Sequence, residues 1–353
     1  MANYTDVDKS TDFFNTVLWE GNNTIGHSIT GVGFEPDWVW MKNRTSSANH
    51  GLHFQVSGVA SDEYLRTNGS NAITSGANHI QSFTSDGFTI ANGLMLNDNS
   101  NNYVAWNWKA GTTGSGTTTG SGTGKAYTYS VNTTCGFSIV KYLGNGTAGH
   151  TIPHHLGAAP AWVIARTISA SKDWCIYHHK NTSAPETDLL VWNSEAGTTD
   201  TNDRWNDTAP TSSVVSLGDS SQLNTNDGTC LMISFVEKRG FSKFGQYVGN
   251  GNADGPFVYT GFKPAWVMIK KSSGTDNWIL VDNKRNGYNG SVEPIYPNLN
   301  NAEATADPMN LLSNGFKMLR TDGGENASGA TYIYMAFAEN PLVTSTGIVG
   351  LAR

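Results

Sequence analysis

The sequence predicts an all-β protein of three tandem, similar antiparallel β-sandwich domains, with a Gly/Ser/Thr-rich linker after the first. Three observations predict it. The 353-residue chain holds 39 glycines and is rich in Asn, Ser, Thr and aromatics, a composition suited to strands joined by many turns. Short apolar runs bounded by Gly, Asn, Asp and Ser recur every eight to fifteen residues, which is the all-β pattern. One motif occurs three times, as GFEPDWVWMK (Gly33 to Lys42), GAAPAWVIAR (Gly157 to Arg166) and GFKPAWVMIK (Gly261 to Lys270), and such self-similarity marks a repeat architecture. No sustained 3.6-residue period or heptad is present, so neither a helical domain nor a coiled-coil stalk is expected.

Each copy opens on an aromatic and a Gly–Asn turn: Trp19 before Gly21-Asn22, Tyr142 before Gly144-Asn145, Tyr247 before Gly249-Asn250. A second strand follows, with His27 in the first copy and His150 in the second. Next comes the Pro-x-Trp strand. A tryptophan follows in copies two and three, Trp174 in DWCIYHHK and Trp278 in NWILVDNK, where copy one has HFQV slightly later. A short apolar piece then ends in Asn and Ala: Leu65, Asn68 and Ala72; Leu190, Asn193 and Ala196; Ile295, Asn298 and Ala302. A turn and strand follow, clearest in SDGFTI from Ser85 and SNGFKML from Ser313. Each copy closes on an apolar strand, YVAWNWK, LMISFVEK or YIYMAFAE. The copies span roughly 17–109, 140–238 and 244–340, and the expected units are 1–110, a linker over 111–130, 131–240 and 241–353. The run GTTGSGTTTGSGTGK has nothing to bury and reads as a flexible or extended connector. Copies two and three, almost directly joined, are expected to pack as a pair, with copy one placed separately, against a neighbouring subunit for instance.

Proline fixes φ and lacks an N–H, so it suits the first residue of a strand. Alternation then puts Trp38, Trp40 and Lys42 on one face and Val39 and Met41 on the other. The same split gives Trp162, Ile164 and Arg166 in the second copy, and Trp266, Met268 and Lys270 in the third. The smaller residues are expected to face into each sandwich. The tryptophan face needs a cover too: a loop, a sister copy or another subunit. Trp38, Trp40, Trp162 and Trp266, with Trp106 and Trp108 of the first closing strand, are therefore the candidate interface or binding residues. Core packing is the favoured reading, because a fold-defining residue recurs in register; a sugar-stacking platform and a subunit interface are the alternatives. The terminal Lys or Arg is expected to lay its stem on the tryptophan and keep its charge in water.

Net charge is −7, charged residues are 14% of the chain and apolar ones 38%. A chain so apolar is not expected to be disordered, and without a basic stripe no nucleic-acid partner is expected. The N-terminus has no apolar core of a signal peptide, and no stretch is long enough to cross a membrane. The three cysteines, Cys135, Cys175 and Cys230, are far apart and suggest neither a disulfide framework nor a zinc site. Adjacent histidines, 154–155 and 178–179, point to opposite faces of a strand, whereas His50 and His53 can meet in a turn. The carboxylates Glu20, Asp37, Asp62 and Glu63 do not recur across copies as a glycosidase pair. Asp282 to Arg285 reads as a turn. Asn97-Asp98-Asn99 and the acidic loop 200–207 offer oxygen ligands without EF-hand spacing. No cofactor, no metal and no enzyme activity are expected.

The segments GFEPDWVWMKNR, YVAWNWKAG, GFSIVKYLGNGTAGHTIPHHLG, FSKFGQYVGNGNADGPFVYTGFKPAWVMIKK and LLSNGFKMLRTDGGENASGATYIYMAFAENPLV, with the closing VTSTGIVGLAR, resemble the β-sandwich repeat family of virion surface, tail-fibre-like proteins of tailed marine bacteriophages. The resemblance implies a structural protein on the virion, made in the host cytoplasm, acting as tail fibre or host-attachment component. Capsid decoration (a head fibre) and a carbohydrate-binding module are the alternatives. It further implies other virion proteins as partners, a homo-oligomer, a trimer by analogy with fibres, and a host surface glycan as a possible ligand.

Overall fold

The computed structural model describes residues 5–76, 79–285, 289–290 and 292–340. Almost all regular structure there is antiparallel strand; the helical pieces are Ser10–Asp12, Pro185–Thr187 and Gly323–Asn326. Each Pro-x-Trp strand lies inside a larger sheet with one recurring order. In copy one the order is Phe14–Glu20, Asn102–Trp108, Trp38–Asn43, Gly51–Phe54. In copy three it is Ser242–Val248, Thr331–Ala338, Pro264–Lys271, Ile279–Asp282. In copy two Phe137–Leu143, Thr229–Phe235, Trp162–Thr167 and Cys175–His178 repeat it inside an eight-stranded sheet. A three-stranded sheet accompanies each: His27–Ile29, Gly87–Ile90 and Ile80–Thr84; Thr119–Gly120, His150–Pro153 and Val214–Leu217; Phe257–Tyr259, Gly315–Met318 and Met309–Leu312.

The two faces of the Pro-x-Trp strand go to two different cores. Val39 and Met41 pack with Ile29, Phe88 and Ile90 of the accompanying small sheet. Val163 and Ala165 pack with Ile152 and Val215, and Val267 and Ile269 with Val258 and Phe316. The opposite faces of all three strands meet in a single further cluster that contains Trp38, Trp162 and Trp266. Of the three covers considered for the tryptophan face, the sister copies provide it.

The opening turn of each copy is held by a residue far along the chain. Asn97, Asn224 and Asn326 accept the backbone N–H of Asn22, Asn145 and Asn250 at 3.0, 2.9 and 2.8 Å. The opening aromatic donates to the preceding carbonyl: Trp19 Nε1 to Leu96 at 2.8 Å, Tyr142 Oη to Leu223 at 2.6 Å, Tyr247 Oη to Glu325 at 2.7 Å. A Cβ on Gly21, Gly144 or Gly249 would overlap the carbonyl oxygen of Asp98, Thr225 or Ala327. Only glycine admits that approach. Gly144→Ala is therefore expected to cost about 1–3 kcal/mol in urea unfolding. Gly274→Ala, whose nearest neighbour is the flexible Lys271 side chain at 3.4 Å, is the control and should change little.

The Gly/Ser/Thr segment does not run free between copies. Thr112–Thr117 pairs with Ala126–Asn132, which pairs in turn with Phe137–Leu143, so both strands extend the second copy's larger sheet. Thr119–Gly120 adds to the small sheet beside His150–Pro153. Backbone pairing, which needs no apolar side chain, orders a segment that composition alone reads as a connector. Gly114 and Gly116 lie where a Cβ would strike the rings of Tyr129 and Tyr127. Nor is copy one set apart: it packs against both other copies of its own chain.

Candidate functional site

The six candidate tryptophans, Trp38, Trp40, Trp106, Trp108, Trp162 and Trp266, are each at most 1% exposed. They lie at the seam where the three larger sheets meet. Trp38 stacks on Trp108 within its own sheet, centroids 4.2 Å apart, and reaches Phe137 and Phe235 of copy two at 6.1 and 6.2 Å. Trp40 packs edge-on against Trp192 of copy two at 5.0 Å and Trp266 of copy three at 6.1 Å. Trp162 meets Trp278 and Phe244 of copy three at 6.1 and 6.3 Å. Offset and edge-on ring pairs are the favourable arrangements. No ring face of these six is open to a ligand.

Around this seam the junctions repeat in a closed cycle. Trp174 Nε1 donates to Arg66 O at 2.7 Å, joining copy two to copy one. Trp278 Nε1 donates to Val191 O at 3.0 Å, joining copy three to copy two. His50 Nε2 meets Tyr296 O at 3.1 Å, joining copy one to copy three. The backbone follows the same cycle: Lys172 N to Ser70 O, Asp276 N to Glu195 O and Ala48 N to Asn300 O, at 2.8, 2.8 and 2.9 Å. A third set runs the other way, Ile73 N to Ile168 O, Thr198 N to Ser272 O and Glu303 N to Arg44 O, at 2.7, 2.8 and 2.9 Å. The recurring Asn of the sequence is the anchor of each junction: Asn68, Asn193 and Asn298 accept the N–H of His50, Trp174 and Trp278 at 3.1, 2.9 and 3.0 Å.

This register corrects the alignment of copy one. His50, rather than the later HFQV, stands where the other copies have tryptophan. The smaller ring is offset by larger neighbours, since Trp40 and Trp106 pair in the sheet where the other copies pair Ile164 with Ile233 and Met268 with Met335. Trp40 Nε1 donates to His50 Nδ1 at 2.9 Å, which fixes the proton of His50 on Nε2 and aims it at Tyr296.

The strand-end cations do not reach water as expected. Lys42, Arg166 and Lys270 are fully buried, because junction carbonyls and a carboxylate replace the solvent. Arg166 donates to Ser70 O and Asn71 O of copy one at 2.6 and 2.7 Å and lies 4.9 Å over the Trp174 ring. Lys270 Nζ donates to Glu195 O of copy two at 3.1 Å. Lys42 Nζ donates to Asn43 O at 2.6 Å, and the Glu303 carboxylate of copy three favours its charge. Burial pulls Lys42 and Lys270 down to about 8 and Arg166 to about 10.

Asp282 closes the turn expected over 282–285 by accepting from Lys284 N and Arg285 N at 2.9 and 3.1 Å. It also accepts from Trp106 Nε1 at 3.0 Å and pairs with Arg285 Nε at 2.6 Å. Arg285 reaches Glu303, which Arg44 of copy one meets at 2.8 Å. Sequence reasoning missed this buried network, because its members come from separate copies.

Several other candidates have structural partners. Asp37 accepts from Ala110 N, Gly111 N and Ser130 Oγ at 2.7, 3.2 and 2.6 Å, tying copy one to the added strands; burial raises its pKa. His50 and His53 do not form a joint site; His53 packs beside Tyr64 and His79 at 6.0 and 5.4 Å. His178 meets Trp162 edge-on at 5.0 Å, and His179 reaches Phe244 O at 2.9 Å. Asn97, considered as a calcium ligand, is buried in the turn lock. Burial pushes the Cys135 and Cys175 thiols up to about 12 and Cys230 to about 11, which keeps them protonated and weakly nucleophilic. Among the described residues no three His, Cys, Asp or Glu side chains are grouped to hold a metal, and no helix is long and apolar enough to cross a membrane.

A family described as a domain of unknown function (DUF7483) matches residues 9–341. No curated protein and no solved structure matches the chain.

Proposed function

We propose that this chain, which belongs to the DUF7483 family, is a non-enzymatic structural protein on the surface of a tailed bacteriophage virion, acting as tail fibre or host-attachment component. In this reading it consists of three tandem similar β-sandwich domains, those of residues 1–110, 131–240 and 241–353. The observation that carries the reading is the closed cycle of junctions, supported by the sequence resemblance. Three copies direct their largest side chains at one another, and the buried cations and the Asp282–Arg285–Glu303 network, which Trp106 and Arg44 of copy one reach, serve contacts between copies. Such an arrangement produces a rigid body that presents repeated outer surfaces, which suits attachment and multivalent contact. The trimeric unit common among fibres is here supplied by one chain, and other virion proteins are its partners.

The test is immunogold labelling and cryo-electron microscopy of particles of a phage that encodes the chain. A few copies at the tail are expected. Many copies on the capsid lattice would instead make it a decoration protein, and its absence from the particle would refute the virion reading.

A further inference from the structure

Sister copies act as internal controls for the outer surface of copy three. The strands His27–Ile29, His150–Pro153 and Phe257–Tyr259 make equivalent pairings in the three small sheets, with Thr119–Gly120 on the other side of the strand in copy two. Their inward residues, Ile29, Ile152 and Val258, are buried at 4%, 0% and 6% exposure and pair with Phe88, Val215 and Phe316. The flanking positions point outward. Copies one and two place Ser28 and Thr30, or Thr151 and Pro153, there. Copy three places Phe257 and Tyr259, exposed at 46% and 64%. Folding does not require aromatics at these positions, since two copies of the same sheet form without them.

Tyr259 lines a cleft of about 830 Å³ where copies one and three meet the end of copy two, within the size range of small-molecule sites. Asn15, Asn314 and Asn340 line it, and the Asn15 and Asn340 amides are bonded to Gly31, Val32 and Thr11 of copy one. So do two half-exposed ion pairs, Lys243–Glu237 at 2.6 Å and Lys263–Glu339 at 3.1 Å. Flat rings supply apolar area at low entropic cost, and the partly exposed ion pairs supply donors and acceptors beside them. That is the chemistry that recognises a ring with one apolar face and a rim of hydroxyls. A protein partner fits less well: half of two aromatic side chains offers roughly 200 Å², against about 800 Å² per partner in a stable interface.

We infer that copy three carries a carbohydrate-binding site, with Phe257 and Tyr259 as the stacking surface and the adjoining cleft as the source of polar contacts. The site names the ligand class of the attachment reading, and it rests on that reading only for where the sugar is met.

The experiment is saturation-transfer NMR on the purified full chain with the methyl pyranosides of glucose, galactose, mannose, N-acetylglucosamine and N-acetylneuraminic acid. The comparison is the double variant Phe257→Ser, Tyr259→Thr, which carries the residues of copy one at these positions, with its thermal midpoint checked for an intact fold. At least one glycoside is expected to bind, and to bind roughly tenfold more weakly to the variant. No binding across the panel, or equal binding by a folded variant, overturns the site. Sugar binding by a chain that is absent from the particle would keep the site and remove the virion reading; a chain on the particle that binds no sugar would do the reverse.

Discussion

Trp38→Ala is expected to lower the stability of the whole molecule by about 3–5 kcal/mol, although the substitution lies in one copy. The ring is 1% exposed. It lies within 6.2 Å, centroid to centroid, of Trp40, Phe54 and Trp108 of its own copy and of Phe137 and Phe235 of the next. Rigid aromatic neighbours from two sheets cannot collapse fully into the space left behind, so the cavity cost adds to the lost burial. The shared seam couples the copies. Scanning calorimetry should show one transition for the parent chain and one, at lower temperature, for the variant. Separate transitions in the parent would mean that the seam does not join the copies energetically, and a loss below about 1 kcal/mol would mean that the seam is loosely packed.

Acid should unfold this protein well above the usual carboxylate range. Six histidines are buried: His50, His53, His79, His150, His154 and His178. Burial lowers His150, holds His50 and His178 well below 6.5, and brings His53 to about 3 and His79 and His154 to about 4. Each folded value lies below the unfolded one. Their stabilising contribution is therefore complete above pH 6.5 and is lost as pH falls toward the folded values. At pH 5 the loss is up to roughly 2 kcal/mol per histidine. Glu325 acts in the opposite sense. Burial raises it to about 7, so its contribution is present below pH 4.5 and fades as pH rises through 7, which offsets the loss by one group. Urea unfolding at pH 7.5 and pH 5 is expected to differ by several kcal/mol, with uptake of more than one proton. Equal stability at the two pH values would show that these rings are solvated.

Much of this was legible in the sequence. Strand positions, the Gly–Asn turns and the division of Trp38, Trp40 and Lys42 from Val39 and Met41 follow from a two-residue period and local turn chemistry, and the folded chain has them. The folded chain also has the expected order within the copies, from the opening aromatic to the closing strand. The misreadings share a cause. The fate of Lys42, Arg166 and Lys270 depends on carbonyls or a carboxylate more than 70 residues away or in another copy, so a local rule that sends a terminal cation to water fails. The Gly/Ser/Thr segment has no pattern of its own; its order comes from the free edges of the second copy's sheets.

Three copies, their strands and the two faces of each Pro-x-Trp strand follow from residue type and spacing along a few neighbours. What covers the tryptophan face depends on the assembled chain, because one copy's strand carries no mark of its partner. The assembled chain also explains why His50 replaces a tryptophan, since that substitution makes sense only beside Trp40 and Tyr296. Finally, it separates the buried aromatics from Phe257 and Tyr259: burial depends on which surfaces meet, and neither composition nor period records that.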